Sequence, residues 1–132
     1  MEKRELAELC DRRKVESVKL IEVADVTRQI AEAVDRRDEL AVQMLLGERE
    51  IPMRALYELE EGIRSYLLGL PEADAIRLNE LLRGAPAATE EEQPLAEQTA
   101  KFRRLLSSVT EADKKLSLRL GGKRSFYNKF RE

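Results

Sequence analysis

The chain reads as an all-α protein, an elongated antiparallel bundle of three long amphipathic helices and one short one. Three observations predict this. Charged residues make up 38% of the 132 residues and aromatics only 5%, with no Trp, a composition of long helices and coiled coils. Apolar residues recur in threes and fours over three long stretches, the spacing that lays one stripe along a helix. Gly69, Pro71, Gly84, Pro86 and the Gly121-Gly122 pair fall between or after those stretches, where such residues end helices. No strand-like alternation and no internal repeat is present.

The first helix is expected from about Lys3 to Val34. Its apolar positions are Leu6, Leu9, Cys10, Val15, Val18, Ile21, Ala24, Ile30, Ala31 and Val34. Asp35-Arg36-Arg37-Asp38 is the expected turn, with Asp38 as N-cap of the next element. That element, 38–70, is the longest stretch with one phase: Val42, Leu45, Arg49, Pro52, Leu56, Leu59, Ile63, Tyr66 and Leu70. The phase holds through Gly47 and Pro52, so a kink or brief break is expected there and not two unrelated helices. At about 1.5 Å per residue it would be roughly 50 Å long, and it needs partner helices along its stripe.

A short helix follows over 72–83, with Ile76, Leu78, Leu81 and Leu82 as its apolar side. The small residues, Pro86 and three consecutive glutamates of 84–94 read as a flexible linker. The last long helix spans about 94–120, with the stripe Leu95, Gln98, Phe102, Leu105, Val109, Ala112, Leu116 and Leu120. Residues 121–132 form a basic aromatic tail carrying Phe126, Tyr127 and Phe130. One domain of 132 residues is the expected organisation, large enough for a core of its own.

Composition also narrows function. The net charge of −2 comes from 24 basic and 26 acidic residues, unlike the clearly basic balance of most nucleic-acid binders. Without histidine the commonest general base and metal ligand are missing, and the single Cys10 makes neither an intramolecular disulfide nor a Cys-rich zinc site. Cys10 lies on the apolar stripe and reads as a buried, inert thiol. Gly121-Gly122-Lys123 lacks the rest of a phosphate loop. The expectation is therefore a non-enzymatic protein without cofactor or metal. The charged N-terminus has no signal-peptide core and no apolar run reaches about 18 residues, so a cytoplasmic protein without membrane insertion is expected.

Several segments together resemble a known family. Asp38-Glu39-Leu40 opens the second long helix, Met44-Leu45-Leu46-Gly47-Glu48-Arg49 follows, and Arg103-Arg104-Leu105-Leu106 lies on the last helix. A Gly-Lys-aromatic ending, Gly121-Gly122-Lys123-Arg124-Ser125-Phe126-Tyr127, completes the series. In this order they look like the FlgN/FliT class of bacterial flagellar export chaperones. The resemblance implies a cytoplasmic chaperone that caps the C-terminal helix of an unassembled filament or hook-associated subunit. It places the client contact on the last long helix and the tail. The residues chosen there, from the stripe and the tail, are Phe102, Leu105, Leu106, Val109, Leu116 and Phe126. Two other readings stand beside it: a homodimeric coiled-coil adaptor that buries the same stripe, and a small regulator touching nucleic acid through Lys123, Arg124, Lys129 and Arg131.

Overall fold

The computed structural model describes residues 3–121. It contains α1 (Lys3–Asp35), α2 (Glu39–Leu68), α3 (Glu72–Leu82) and α4 (Gln93–Arg119), packed as an all-α helical bundle with no strand among the described residues. The tail beyond Gly121, including Phe126, lies outside the described residues.

A short turn joins α1 to α2. Arg37 adopts φ 57°, and the amides of Arg37 and Asp38 bond back to the carbonyls of Val34 and Ala33. These are the paired bonds of a Schellman motif, with an arginine in the left-handed position that glycine ordinarily takes. Asp38 then caps α2 as expected: its Oδ1 accepts from the Ala41 amide at 3.1 Å. Pro52 lies inside α2 without interrupting it. The helix is one element and not two, without the brief break, and Arg49, Met53 and Leu56 on either side of the proline are buried.

Contacts divide the chain into two compact units, residues 3–18 with 56–104 and residues 19–55 with 105–121. In the first, Leu6 and Leu9 of α1 meet Ile63 of α2, Leu78, Leu81 and Leu82 of α3, and Leu95 of α4. In the second, Ile30 and Ala33 of α1 meet Val42 and Leu46 of α2 and Leu116 of α4. Side-chain bonds cross the segment 84–94, expected from its composition as a linker. Arg77 of α3 holds both carboxylate oxygens of Glu92, Nε to Oε2 at 3.0 Å and Nη2 to Oε1 at 2.6 Å, and also donates to the Pro86 carbonyl. The Ala88 amide donates to the same Glu92 carboxylate, so one bidentate pair ties the loop to the short helix.

The buried side of α1 differs from its apolar side. Val15, Val18 and Ile21 are exposed, and Arg13, Glu16, Leu20, Val23 and Thr27 take the inward positions. Leu6, Leu9, Arg13, Glu16, Leu20, Val23, Thr27 and Ile30 step strictly by three and four, the a/d seam of a coiled coil. Val15, Val18 and Ile21 step by three alone, so each lies further round the helix. The same substitution occurs on α4, where Asp113 is fully buried and the expected Ala112 is exposed.

The polar residues that occupy seam positions find one another. In the second unit Arg49 Nη1 donates to Asp113 Oδ1 at 2.8 Å and to Thr27 Oγ1 at 3.2 Å, one residue from each long helix. Removing one partner of a buried pair strands the other charge, whereas replacing both with apolar residues does not. Arg49→Ala is therefore expected to destabilise the fold by about 3–5 kcal/mol. The double change Arg49→Met with Asp113→Leu should recover most of that loss, as read by denaturant unfolding followed by helical circular dichroism.

Candidate functional site

A helix packed on one side presents polar residues on the other, and α2 breaks this rule in the second unit. Its inward residues there are Val42, Leu46, Arg49 and Met53. On the opposite side Leu40, Met44 and Ile51 are 73%, 60% and 71% exposed, and Gly47 lies in line with them. The four sit at i, i+4, i+7 and i+11, a second seam with the spacing that receives another helix. A Cβ built on Gly47 meets nothing within 4 Å, so the centre of the seam is backbone open to approach. Exposed Glu39, Gln43, Glu48, Glu50 and Arg54 flank it, making a polar rim around an apolar strip.

The residues chosen from the sequence as a client contact lie elsewhere. Phe102, Val109 and Leu116 are buried in the bundle, and Leu105 and Leu106 are half-buried. The Phe102 ring lies under the Arg13 guanidinium, 4.6 Å from its centroid. Phe102, Val109 and Leu116 are core side chains, while Leu105 and Leu106 keep part of their surface at the exterior of α4. Phe126 lies outside the described residues. The α2 strip was legible in the same sequence, but one stripe per helix absorbed the reading, and Leu40, Met44 and Ile51 fall on the far side from it.

A second cluster could carry chemistry, inside the first unit. Arg13 Nη1 donates to Glu16 Oε1 at 2.8 Å and to Glu60 Oε1 at 3.4 Å, and Nη2 donates to the Leu82 carbonyl at 2.7 Å. Glu16 is fully buried. Burial first, then the hydrogen bond to neighbouring Glu60, raises its pKa from the ordinary 4.5 to about 9, against the lowering effect of Arg13. As a carboxylate its Oε2 has no hydrogen-bond partner. Protonated, it becomes a donor to Glu60, which resolves the orphan atom. Through Glu60 and the Leu82 carbonyl, Arg13 locks α1, α2 and α3 together.

Two further groups show how the remaining charges are used. The hydrogen bond from Arg77 and that from the Ala88 amide lower Glu92 to about 2, so it stays ionised as the loop's anchor. Burial raises the Cys10 thiol, which keeps it in the less reactive protonated form. Among the described residues, no helix is long and apolar enough to cross a membrane. Comparison with protein-family models, with curated proteins and with solved structures finds no match to this chain.

The Glu16 proton has a measurable consequence. A carboxyl whose folded-state pKa lies above its unfolded value gives stability that is present below the unfolded value and is lost as pH rises through the folded one. The wild-type protein should lose stability progressively between pH 4.5 and about 9 relative to Glu16→Gln, which cannot ionise. Denaturant midpoints of the two proteins, measured across that range, should diverge in favour of the variant as pH rises.

Proposed function

We propose that the protein is a non-enzymatic helix-binding chaperone of the cytoplasm, of the flagellar or secretion export type. Its client is the helical terminus of an unassembled filament or hook-associated subunit. The observation that carries this reading is the exposed seam Leu40, Met44, Gly47 and Ile51 on α2. A bundle that has already satisfied its core still offers an apolar strip with helix-receiving spacing. The resemblance of Asp38-Glu39-Leu40 and Met44-Leu45-Leu46-Gly47-Glu48-Arg49 to the FlgN/FliT class supports the export assignment and falls on the same helix.

The physical task fits the surface. Filament subunits assemble through amphipathic helices whose apolar faces adhere to one another when unpartnered. Covering Leu40, Met44 and Ile51 contributes about 1.5–3 kcal/mol for each side chain fully removed from water, offset by the ordering of client and side chains. Binding of moderate strength follows, which suits a cargo that must be released for secretion.

The test is titration of the full chain with a peptide carrying the C-terminal helix of a flagellin-like subunit, read by calorimetry. A defined one-to-one complex is expected, weakened at least about tenfold by Met44→Glu in a protein of unchanged helicity. Absence of binding, or binding indifferent to Met44→Glu, overturns the reading.

A further inference from the structure

We infer that the groove beneath α3 is a helix-binding site and that α3 is its displaceable lid, opening as a unit so that an amphipathic helix of a partner takes its place. The groove lies wholly in the first unit, on residues other than those of the α2 strip. The inference therefore stands apart from the client reading of that strip.

The groove is defined by what fills it. Its floor is Leu6 and Leu9 of α1, Ile63 of α2 and Leu95 of α4. α3 enters it with Leu78, Leu81 and Leu82, at i, i+3 and i+4, the anchor spacing of a helix laid in an apolar groove. The other side of α3 faces water, where Glu72, Ala73, Ile76, Asn79 and Glu80 are exposed. At its end the Leu82 carbonyl accepts from Arg13 Nη2 at 2.7 Å. It is one of the last-turn carbonyls that helix geometry leaves without a partner of its own. The site thus reads three features of its occupant: leucine-type side chains at that spacing, a mostly polar outer face, and a helix C-terminus delivered to a buried guanidinium.

The chain gives α3 the means to leave. The long helices run 33, 30 and 27 residues and α3 only 11, a length at which a helix has little stability outside its packing. Its N-terminus carries Pro71 and no side-chain cap. Gly69 precedes it and Gly84 follows it, the latter at φ 108°, so both joints can change conformation at low cost. One clasp outside the groove holds the lid shut. Arg77 grips Glu92 through Nε and Nη2, and the Pro86 carbonyl through Nη2. Local opening occurs in cooperative units, and segments with few buried contacts open first. A partner helix binds only the open form and so draws the lid off.

The test uses the full chain and a fluorescent peptide of residues 71–84, the groove's own occupant. Hydrogen exchange should show the α3 amides exchanging at least about tenfold faster than those of α1 around Leu9. Arg77→Gln releases Glu92 without touching the groove, and Glu92→Gln releases the same clasp from its other side. Each should speed α3 exchange and tighten peptide binding at least about fivefold, because a closed lid lowers apparent affinity by the open fraction. Circular dichroism checks that both variants keep their helicity. A peptide carrying Leu78→Glu and Leu81→Glu should not bind. Binding of the unaltered peptide should persist in Met44→Glu, which places it away from the α2 strip. The proposal is overturned if α3 exchanges no faster than α1 in all three proteins, if the peptide fails to bind or ignores both clasp variants, or if Met44→Glu abolishes its binding.

Discussion

Arg49 and Asp113 occupy places where a bundle of this kind ordinarily carries leucine, and the register of the second unit depends on their meeting. Both are essentially sealed from water, with side-chain exposures of 3% and 0%. A slip of α4 by one seam position would set Arg49 against Val109 or Leu116 and leave Asp113 without its guanidinium. An unpaired buried charge is far less favourable than a mispacked methyl group. The apolar residues of the seam tolerate several alignments, since one aliphatic side chain replaces another at modest cost. The ion pair tolerates one. Arg13 plays the corresponding part in the first unit through a different arrangement, reaching Glu16, Glu60 and the Leu82 carbonyl at once. Its lock ties in the short helix as well, which has only its Leu78, Leu81 and Leu82 side to bury.

These polar seam positions also explain which parts of the fold could be read from the sequence. Helix existence, order and ends were legible because their signals are local. Asp38 accepts from the third amide beyond it, Gly84 sits at φ 108° after α3, and Pro94 lies in the first turn of α4. The stripe of α2 was legible in part: Val42, Arg49, Leu56 and Ile63 are buried, whereas Leu46 and Met53 take the inward places expected of Leu45 and Pro52, which are half-buried. The middle of α1 was not. Its inward positions carry Arg13, Glu16 and Thr27, and a reading that follows apolar residues moves onto Val15, Val18 and Ile21 instead. Only strict stepping by three and four from Leu6 through Ile30 would have kept the register. That rule places an arginine and a glutamate in the interior, which composition alone never suggests. The bond between Arg77 and Glu92 was hidden for a related reason. Glu92 stands last in a run of three glutamates, and nothing local marks it as the one that turns inward.

The candidate site shows the opposite limit. Leu40, Met44, Gly47 and Ile51 keep heptad spacing without an interruption, yet the helix already has a stronger stripe on its other side. Two seams on one helix are ambiguous in sequence, since either could be the core. The structure separates them through burial, with Val42, Leu46, Arg49 and Met53 inside and the second seam in water. The same separation moves attention away from α4. Phe102, Val109 and Leu116 were attractive as contact residues because they are large and regularly spaced, and those are also the properties of core residues. Size and spacing show that a side chain will be buried. They do not say whether by the same chain or by another.

The dimensions of the strip limit what it can do. Three large side chains separated by a glycine fall short of the area that makes a permanent interface, which is larger and more continuous. Its rim is mixed in sign, with Glu39, Glu48 and Glu50 beside Arg54, so no apolar side chain of the strip lies far from a charge. On the proposed function, a helix that covers the strip brings apolar residues at matching spacing along the twelve residues from Leu40 to Ile51. Its affinity is then bounded by what three exposed side chains contribute, and its selectivity comes from the difference between helices that compete for one surface.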